Sequence, residues 1–394
     1  MSAVSVSGRE SARALVLATA AFALCFSVWG LIAPLAPQFQ EQYGLTSTQI
    51  SIVVATPVLL GSLFRIPIGL LTDRFGGRAV FTVLMLFLLL PVFMIGLFGG
   101  SFSGLLFWGF LLGVAGSSFA VGVPYVSKWY PPEKQGLALG IYGMGNIGQA
   151  IAAYTAPVIA AALGWQWAFW LFLVPLGAMA AAFWFAGRDA PVAGPRPSLA
   201  EGVALFREEA GPWVLSLFYF LTFGGFVAFG IYLPTLLVDV FALDPADAGR
   251  RAAGFIVLAT FARPVGGWLA DRVGGVPALG VIFALLPLLA VILAFIPGMV
   301  LFTFAALSIA LLLGLGNGAV FKLVAQMYPG KTGAVTGVVG AAGGLGGFFP
   351  PLVLGVVRDA TESYGFGFVL LALFAAGCFA ANMFYLRKRL EKGA

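Results

Sequence analysis

The sequence predicts an all-α protein that crosses a membrane twelve times, and three observations support this fold class. Of the 394 residues, 61% are hydrophobic and only 9% are charged, which is more apolar surface than a soluble domain of this length needs. The apolar residues form runs of about 20 residues, the length that a helix needs to span the hydrocarbon core of a bilayer. The second half of the chain also repeats spaced features of the first, which divides the spans into two sets of six.

Twelve apolar runs can be assigned in order along the chain. They cover approximately residues 12–36, 48–71, 79–98, 102–127, 137–160, 165–187, 212–238, 249–270, 276–296, 299–326, 332–356 and 365–386. Residues 188–211, between the sixth and seventh runs, form a long hydrophilic segment that is rich in proline and charge. We interpret this segment as a cytoplasmic linker between an N-terminal six-helix bundle, residues 1–187, and a C-terminal six-helix bundle, residues 212–394.

Basic residues are distributed unevenly over the two sides of the predicted membrane protein. With the N-terminus inside, one side holds Arg9, Arg13, Arg74, Arg78, Lys128, Lys134, Arg188, Arg196, Arg207, Arg272, Lys331 and the basic tail from Arg387, and the other holds Arg250, Arg251 and Arg358. The positive-inside rule then places both termini and the linker in the cytoplasm, in a multi-pass protein of the cell (inner) membrane. Because this sidedness explains the net charge of +6, no nucleic-acid partner is expected.

An internal repeat relates the two halves at an offset of 197 or 198 residues. In each half an arginine precedes an Asp-Arg pair by eight residues, from Arg65 to Asp73 and from Arg263 to Asp271. The same offset relates Tyr130-Pro131 to Tyr328-Pro329, Gly140 and Gly143 to Gly337 and Gly340, and Phe119 to Asn317. Two pseudo-symmetric six-helix halves in parallel repeat are typical of transporters whose substrate site lies near the middle of the membrane.

Arg65 and Arg263 are the residues that most directly indicate a ligand. Eight helical residues separate each from a Gly-rich surface loop and rise about 12 Å, which places each near the middle of a ~30 Å core. A charge at that depth costs roughly 2.5–3.5 kcal/mol, and a guanidinium offers a planar fork of donors that suits a small planar oxyanion. We expect both residues to face a central cavity and bind an anion. The alternatives are that each snorkels to the surface or pairs with a buried carboxylate.

Two glycine-rich runs, residues 140–148 and 333–347, lie in the fifth and eleventh spans. Small residues at this spacing let helices approach closely in lipid, and they also permit sliding between conformations, although packing alone would account for them. The glycines to which we assign a conformational role are Gly143, Gly145, Gly340 and Gly343. Asn146 and Asn317 add amide groups at comparable depth, and each is interpreted either as a donor to the anion or as a contact between helices.

Several function classes are not supported by the residues present. The sequence contains no histidine, and its two cysteines, Cys25 and Cys378, fall in apolar spans where they are expected to be buried. No nucleophile–base pair, metal cluster or phosphate loop is recognisable, so no enzyme activity, metal or cofactor is expected. A transporter-like sensor or a channel remains an alternative to a transporter.

Several stretches carry a family resemblance. They are residues 64–67, 145–148, 219–224, 262–272, 314–322 and 333–347. Together they resemble the nitrate/nitrite porter family of the major facilitator superfamily, over essentially the whole chain. The resemblance implies the major facilitator fold, nitrate and nitrite as substrates, and Arg65 and Arg263 as a clamp on the anion. It also implies hydrogen bonds from Asn146 and Tyr219 and walls formed by Phe119 and Phe223; ordinary packing is the alternative for the three aromatic residues.

The loop motif after Arg65 matches the superfamily more broadly. Its residues are Gly69, Asp73, Arg74, Gly77 and Arg78, and the resemblance implies that they form a conformational latch on the cytoplasmic face. The second copy contains Asp271 and Arg272 but has Val276 where Arg78 stands in the first, which places an equivalent latch in doubt. Lys322, in the tenth span, is interpreted either as an anion contact on the cytoplasmic path or as an interfacial lysine.

The residues and the resemblance together predict a monomeric transporter in the lipid bilayer that works by alternating access and exchanges nitrate for nitrite. Two fixed cations in an empty cavity repel each other, so the loaded protein should change conformation more easily than the empty one. The alternatives are a proton-coupled nitrate symporter and a porter of another small anion, such as formate or a short dicarboxylate.

Overall fold

The computed structural model describes residues 8–191, 199–243, 245–361 and 363–387, and within these ranges the chain is mostly helical and contains no strand. The α-helices are α1 Gly8–Trp29, α2 Ile32–Tyr43, α3 Ser47–Leu63, α4 Arg65–Phe75, α5 Gly77–Phe98, α6 Phe102–Leu112, α7 Ser118–Ser127, α8 Gln135–Gly143, α9 Ile147–Leu163, α10 Trp165–Trp170, α11 Leu173–Ala186, α12 Leu199–Glu208, α13 Gly211–Phe241, α14 Pro245–Val273, α15 Gly275–Ala294, α16 Met299–Met327, α17 Thr332–Thr361 and α18 Gly365–Ala381. Shorter segments are the 3₁₀ turns Gly113–Ser117, Pro132–Lys134 and Met144–Asn146 and the π-helical turn Asn382–Arg387. The predictions for Arg196 and for the basic tail beyond Arg387 lie outside the described residues.

Twelve helical segments in the described ranges are long and apolar enough to cross a membrane. They are Gly8–Tyr43, Ile52–Phe75, Gly77–Phe98, Phe102–Ser127, Pro132–Leu163, Trp165–Ala186, Gly211–Pro234, Asp247–Val273, Gly275–Ala294, Met299–Met327, Thr332–Phe349 and Gly365–Leu386. Each coincides with one predicted run, so the prediction of an all-α protein with twelve spans is confirmed. Large apolar side chains such as Val174, Phe185 and Val300 remain exposed on these segments, as expected where the surrounding solvent is lipid.

The first span is longer than predicted. The sequence predicts its end near Pro37, but α2 contains Pro37 and continues to Tyr43. Proline removes one backbone donor, yet a helix in a membrane protein tolerates it because neighbouring groups satisfy the freed carbonyl. The helix ends instead at Gly44, whose φ of 60° is left-handed.

Five spans of the first half are interrupted; the first and sixth spans break at residues 30–31 and 171–172, and three others break near their middle. The second span divides at Phe64 between α3 and α4, the fourth contains the 3₁₀ turn Gly113–Ser117, and the fifth contains the 3₁₀ turn Met144–Asn146. Such interruptions often mark functional positions, because they present backbone groups that a regular helix uses internally. The corresponding helices of the second half, α14, α16 and α17, are continuous.

The chain divides into two compact units. Unit 1 comprises Met1–Pro131, Ile141–Leu205 and Tyr328–Ala341, and unit 2 comprises Pro132–Gly140, Phe206–Met327 and Ala342–Ala394. These units differ from the predicted bundles mainly in residues 132–140 and 328–341, which contain the starts of the fifth and eleventh spans. Each of these two segments therefore belongs, by its contacts, to the unit built largely from the other half of the sequence.

Candidate anion-binding site

Arg65 begins α4 directly after the break at Phe64, and only 2% of its surface is exposed. Its Nε donates a hydrogen bond to the Gly116 carbonyl oxygen at 3.0 Å, and its Nη1 donates to the Gly340 carbonyl oxygen at 2.6 Å. The guanidinium carbon lies 5.8 Å from the centre of the Phe119 ring. These contacts orient the fork without cancelling its charge. The burial of Arg65 contradicts the alternative that it snorkels to the surface.

The close approach of the second and fourth spans depends on glycine. A methyl group at Gly61 would lie 2.7 Å from the Gly113 carbonyl oxygen, and one at Gly113 would lie 2.7 Å from the Pro57 carbonyl oxygen. Any side chain at these positions would force the two backbones apart. The glycines therefore let the 3₁₀ turn Gly113–Ser117 lie where its Gly116 carbonyl reaches Arg65.

Arg263 lies within the continuous helix α14 and is also buried, with 3% of its surface exposed. Its Nη2 donates a hydrogen bond to the Tyr219 hydroxyl at 2.9 Å, and its guanidinium carbon lies 5.5 Å from the centre of the Phe223 ring. The rings of Tyr219 and Phe223 stack at 5.1 Å and 9°, and Phe321 packs edge-on against Tyr219 at 4.7 Å. The structure thus brings together the arginine, hydroxyl and aromatic wall that the motifs single out in the second half.

Glycines of the eleventh span contact the residues around Arg65 and the residues around Arg263. A methyl group at Gly340 would lie 3.0 Å from Cδ of Arg65. One at Gly343 would overlap the Tyr219 ring and lie 3.2 Å from Cδ1 of Phe223. A side chain at either glycine would therefore displace a residue assigned to the anion.

Gly337→Ala is expected to destabilise the protein by about 1–3 kcal/mol, the usual cost of overpacking a tight contact. A methyl group at Gly337 would lie 2.5 Å from the Arg65 carbonyl oxygen and 2.9 Å from Cα of Ile66, so the backbone itself must move. The thermal unfolding midpoint of the purified protein in detergent measures the effect. Gly177→Ala is the matched control, because no atom lies within 4 Å of its new methyl group. Equal midpoints for the two variants would contradict the prediction.

Asn146 and Asn317 are buried, with 4% and 2% of their surfaces exposed. Among the described residues, neither amide atom of Asn146 has a hydrogen-bond partner, and neither does Oδ1 of Asn317. A buried polar group without a partner costs about 1–3 kcal/mol, and such a group calls for an explanation. The described contacts therefore give no support to Asn146 as a hydrogen bond between helices, whereas a ligand would satisfy its amide.

A glycine beside each asparagine packs closely against another residue of the same unit. Asn146 follows Gly145, where a methyl group would overlap the ring of Phe22. Asn317 precedes Gly318, where a methyl group would overlap the Arg263 carbonyl oxygen. We call the residues grouped around each arginine a half-site: Arg65 with Phe119 and Asn146, and Arg263 with Tyr219, Phe223 and Asn317. The glycines beside the two amides set how closely the fifth and tenth spans approach the other residues of these half-sites.

Phe22 is a further residue of the Arg65 half-site that the motifs do not indicate. It is fully buried, and its ring centre lies 5.4 Å from that of Phe119. The internal repeat would have identified it, because the offset 219 − 22 = 197 makes Phe22 the repeat equivalent of Tyr219. The first span of each half therefore contributes an aromatic ring to the group around its arginine.

A family model for the Major Facilitator Superfamily matches residues 17–351, most of the chain. The chain belongs to this superfamily. Two solved structures share the fold at low identity: the human organic anion transporter MFSD10 (TM-score 0.79, 17% identity, 94% of this chain and 99% of that one) and the E. coli fucose:proton symporter FucP (TM-score 0.77, 16% identity, 95% and 99%). The predicted major facilitator fold is confirmed.

Curated relatives cover nearly the whole chain. This superfamily member is 45% identical to the "Nitrite extrusion protein" of Bacillus subtilis, over 93% of this chain and 92% of the relative. It is 43% identical to the "Probable nitrate transporter NarT" of Staphylococcus carnosus (95% and 96%) and 41% identical to the "Probable nitrate/nitrite transporter NarK2" of Mycobacterium tuberculosis (92% and 93%). The resemblance to nitrate/nitrite porters is confirmed, as is the prediction of a transporter and not an enzyme.

In this major facilitator protein, the loop motif of the first half contacts a helix N-terminus. Asp73 is 4% exposed, and its carboxylate accepts hydrogen bonds from the backbone N–H groups of Gly333 at 3.0 Å and Ala334 at 2.9 Å, in the first turn of α17. Nζ of Lys128 lies 3.9 Å from the same carboxylate. A negative charge is stabilised at a helix N-terminus by the free N–H groups and the helix dipole. Gly69 permits the contact, because a methyl group there would overlap the Gly333 carbonyl.

The basic residues of the same motif contact other groups. The backbone N–H of Arg78 donates to Asp189 at 3.1 Å, and its Nε donates to the Trp184 carbonyl at 2.9 Å. Its guanidinium carbon lies 4.6 Å from the Trp184 ring centre, and that of Arg74 lies 5.6 Å from the Phe75 ring centre. Arg78 therefore joins the start of the third span to the end of the sixth.

The second copy of the motif makes the same carboxylate contact. Asp271 accepts hydrogen bonds from the backbone N–H groups of Gly136 at 2.9 Å and Leu137 at 2.8 Å, at the start of α8. Arg272 lies over the Trp268 ring at 4.5 Å. This contact uses a carboxylate and a helix N-terminus and needs no basic residue at the position of Val276, and a latch role for Asp271 and Arg272 stays a prediction.

Lys322 is the predicted residue whose surroundings differ most from expectation. It is 5% exposed, its Nζ lies 2.9 Å from Oδ1 of Asp271, and it donates a hydrogen bond to the Pro132 carbonyl. It is therefore not an interfacial lysine, because its ammonium is buried and paired with a carboxylate. Its role as an anion contact stays a prediction, which now competes with a role in holding Asp271.

Proposed function

We propose that this protein exchanges nitrate for nitrite across the cell (inner) membrane by alternating access. The proposal is carried by one observation, which recurs in both halves of the repeat. Each half buries one arginine, Arg65 or Arg263, over an aromatic ring, Phe119 or Phe223. The names of the relatives at 41–45% identity support the choice of nitrate and nitrite.

The chemistry of the two half-sites favours a small flat anion. A buried cation is unfavourable unless an opposite charge compensates it. The oxygen atoms of nitrate or nitrite accept parallel hydrogen bonds from a guanidinium fork, and an aromatic face suits a flat ligand. We assign the anion to Arg65 and Arg263, with donors from Asn146, Asn317 and Tyr219. Phe119 and Phe223 form the walls, and Lys322 is a further candidate contact.

Exchange is favoured over proton coupling by the nature of the charges. Arginine stays protonated at every relevant pH, and the sequence contains no histidine that could carry a proton near neutrality. A bound anion reduces the repulsion between two permanent cations, so the loaded protein changes conformation more readily than the empty one. The carboxylates of Asp73 and Asp271 would hold one conformation and release the N-termini of α17 and α8 in the other.

Counterflow in proteoliposomes tests this function. Vesicles loaded with nitrite are expected to take up labelled nitrate, whereas vesicles without an internal anion take up little, with or without a pH gradient. Uptake into anion-free vesicles that is driven by a pH gradient would show that the protein is a proton symporter and not an exchanger. Equal uptake of formate and nitrate would contradict the assignment of the substrate, and no uptake under any condition would contradict the function itself.

The sidedness of the protein is part of the proposal. Both termini and the linker are assigned to the cytoplasm, because the connections that hold Arg74, Arg78 and Lys128 lie on that side under the positive-inside rule. The two bundles, residues 1–187 and 212–394, are proposed to move as the units of a monomer. Labelling of a single cysteine placed in the linker, from inside or outside intact cells, tests the orientation.

A further inference from the structure

Tyr142 joins two of the helix interruptions of unit 1, those of the fourth and fifth spans. It is fully buried in the last turn of α8, directly before the 3₁₀ turn Met144–Asn146. Its hydroxyl lies 3.0 Å from the Ser118 carbonyl oxygen, to which it donates a hydrogen bond, and 3.4 Å from that of Phe119. Ser118 follows the other interruption, Gly113–Ser117. One side chain therefore connects the break in the fourth span with the break in the fifth.

The ring of Tyr142 supports the aromatic wall below Arg65. It stacks on Phe119 at 5.8 Å and 23° and on Phe22 at 4.9 Å and 28°. The fourth span leaves room for it at Gly122, where a methyl group would overlap the ring. The hydroxyl thus fixes the backbone next to Phe119, and the ring fixes the Phe119 side chain.

Both contacts act on groups that orient Arg65. The Gly116 carbonyl, which accepts from Arg65 Nε, belongs to the interruption that Tyr142 holds at Ser118. The Phe119 ring lies below the guanidinium. A shift of the backbone from Gly113 to Phe119 would rotate the Arg65 guanidinium and tilt the Phe119 ring at the same time. Such small displacements are enough to change binding selectivity.

We propose that Tyr142 is a positioning residue that sets the selectivity of the Arg65 half-site for flat anions. It acts through Phe119 and the Gly113–Ser117 turn without contacting the anion. The inference rests on the proposed function, since it assigns a determinant of nitrate selectivity. A pyramidal oxyanion, such as chlorate, needs more depth over the Phe119 ring than nitrate does, so a rigid wall discriminates between the two.

Tyr142→Phe tests this role, because it keeps the stacked ring and removes only the hydroxyl. Loss of one neutral hydrogen bond is expected to raise KM for nitrate about fivefold. The preference for nitrate over chlorate is expected to fall by a similar factor, while turnover at saturating nitrate stays within about twofold. Tyr125→Phe is the matched control: Tyr125 is also buried in unit 1, on α7, and this variant should keep the wild-type KM and preference.

The outcomes separate this inference from the proposed function. If the wild-type protein binds no nitrate, the proposed function fails. If the wild type binds nitrate and Tyr142→Phe keeps its KM and its preference over chlorate, the inference is overturned. Nitrate- and chlorate-induced thermal shifts of the purified variant give the same comparison when little protein folds. A lower melting temperature with an unchanged preference means a purely structural role and also overturns it.

Discussion

Replacement of Arg65 or Arg263 by lysine is expected to reduce nitrate exchange about 100-fold, because truncation of one partner in a buried, hydrogen-bonded charge pair costs roughly 2–5 kcal/mol. Lysine keeps the charge but replaces the planar fork by a single ammonium group. At position 65 it cannot donate to the carbonyls of Gly116 and Gly340 and also grip an anion at two oxygen atoms. At position 263, lysine lacks the rigid guanidinium that donates a hydrogen bond to the Tyr219 hydroxyl in a fixed direction. Initial rates of counterflow in proteoliposomes measure the effect.

Arg250→Lys provides the control for these variants. Arg250 is largely exposed, and its ion pair with Asp247 spans 3.5 Å, an arrangement that contributes little because water screens it. This variant should exchange nitrate at the wild-type rate. Wild-type exchange by Arg65→Lys or Arg263→Lys would show that positive charge alone is sufficient, and the proposed two-fork site would have to be abandoned.

The spans of this protein could be predicted because an apolar run of membrane length is a strong signal. The interruptions at Phe64, Gly113–Ser117 and Met144–Asn146 could not be predicted. Glycine is common in membrane helices for close packing, so its presence does not separate a broken helix from a tightly packed one. The short helix α12 inside the predicted linker was missed as well, because proline and charge dominate that segment.

The charged residues of the site could be predicted, but most of their partners could not. An arginine at mid-membrane depth is rare enough to indicate function, and the repeat doubled that signal. The acceptors of Arg65 are backbone carbonyls of Gly116 and Gly340, and a carbonyl has no signature in the sequence. Lys322 and Asp271 are separated by 322 − 271 = 51 residues, so only the packing of α14 against α16 brings them together.

Loss of either partner of the Asp271–Lys322 pair is expected to cost about 3–5 kcal/mol, because the remaining charge stays buried without compensation. Both side chains are almost fully buried and lie 2.9 Å apart. Asp271→Asn and Lys322→Met should each lower the unfolding midpoint of the purified protein sharply. The double variant leaves no uncompensated charge, so it should be more stable than either single variant. Asp247→Asn, which removes an exposed carboxylate that pairs with Arg250 and Arg251, should leave the midpoint unchanged.

The nitrate KM of the same variants separates the two roles of Lys322. If Lys322 acts by holding Asp271 at the start of α8, the double variant regains both stability and KM, because the amide oxygen introduced by Asp271→Asn still accepts a hydrogen bond from Gly136 or Leu137. If Lys322 contacts the anion, the double variant regains stability but keeps the raised KM of Lys322→Met, because the cation is missing in both. A double variant whose loss of stability equals the sum of the two single losses would mean that the two residues are not coupled, and the second latch would then depend on the N–H groups of α8 alone.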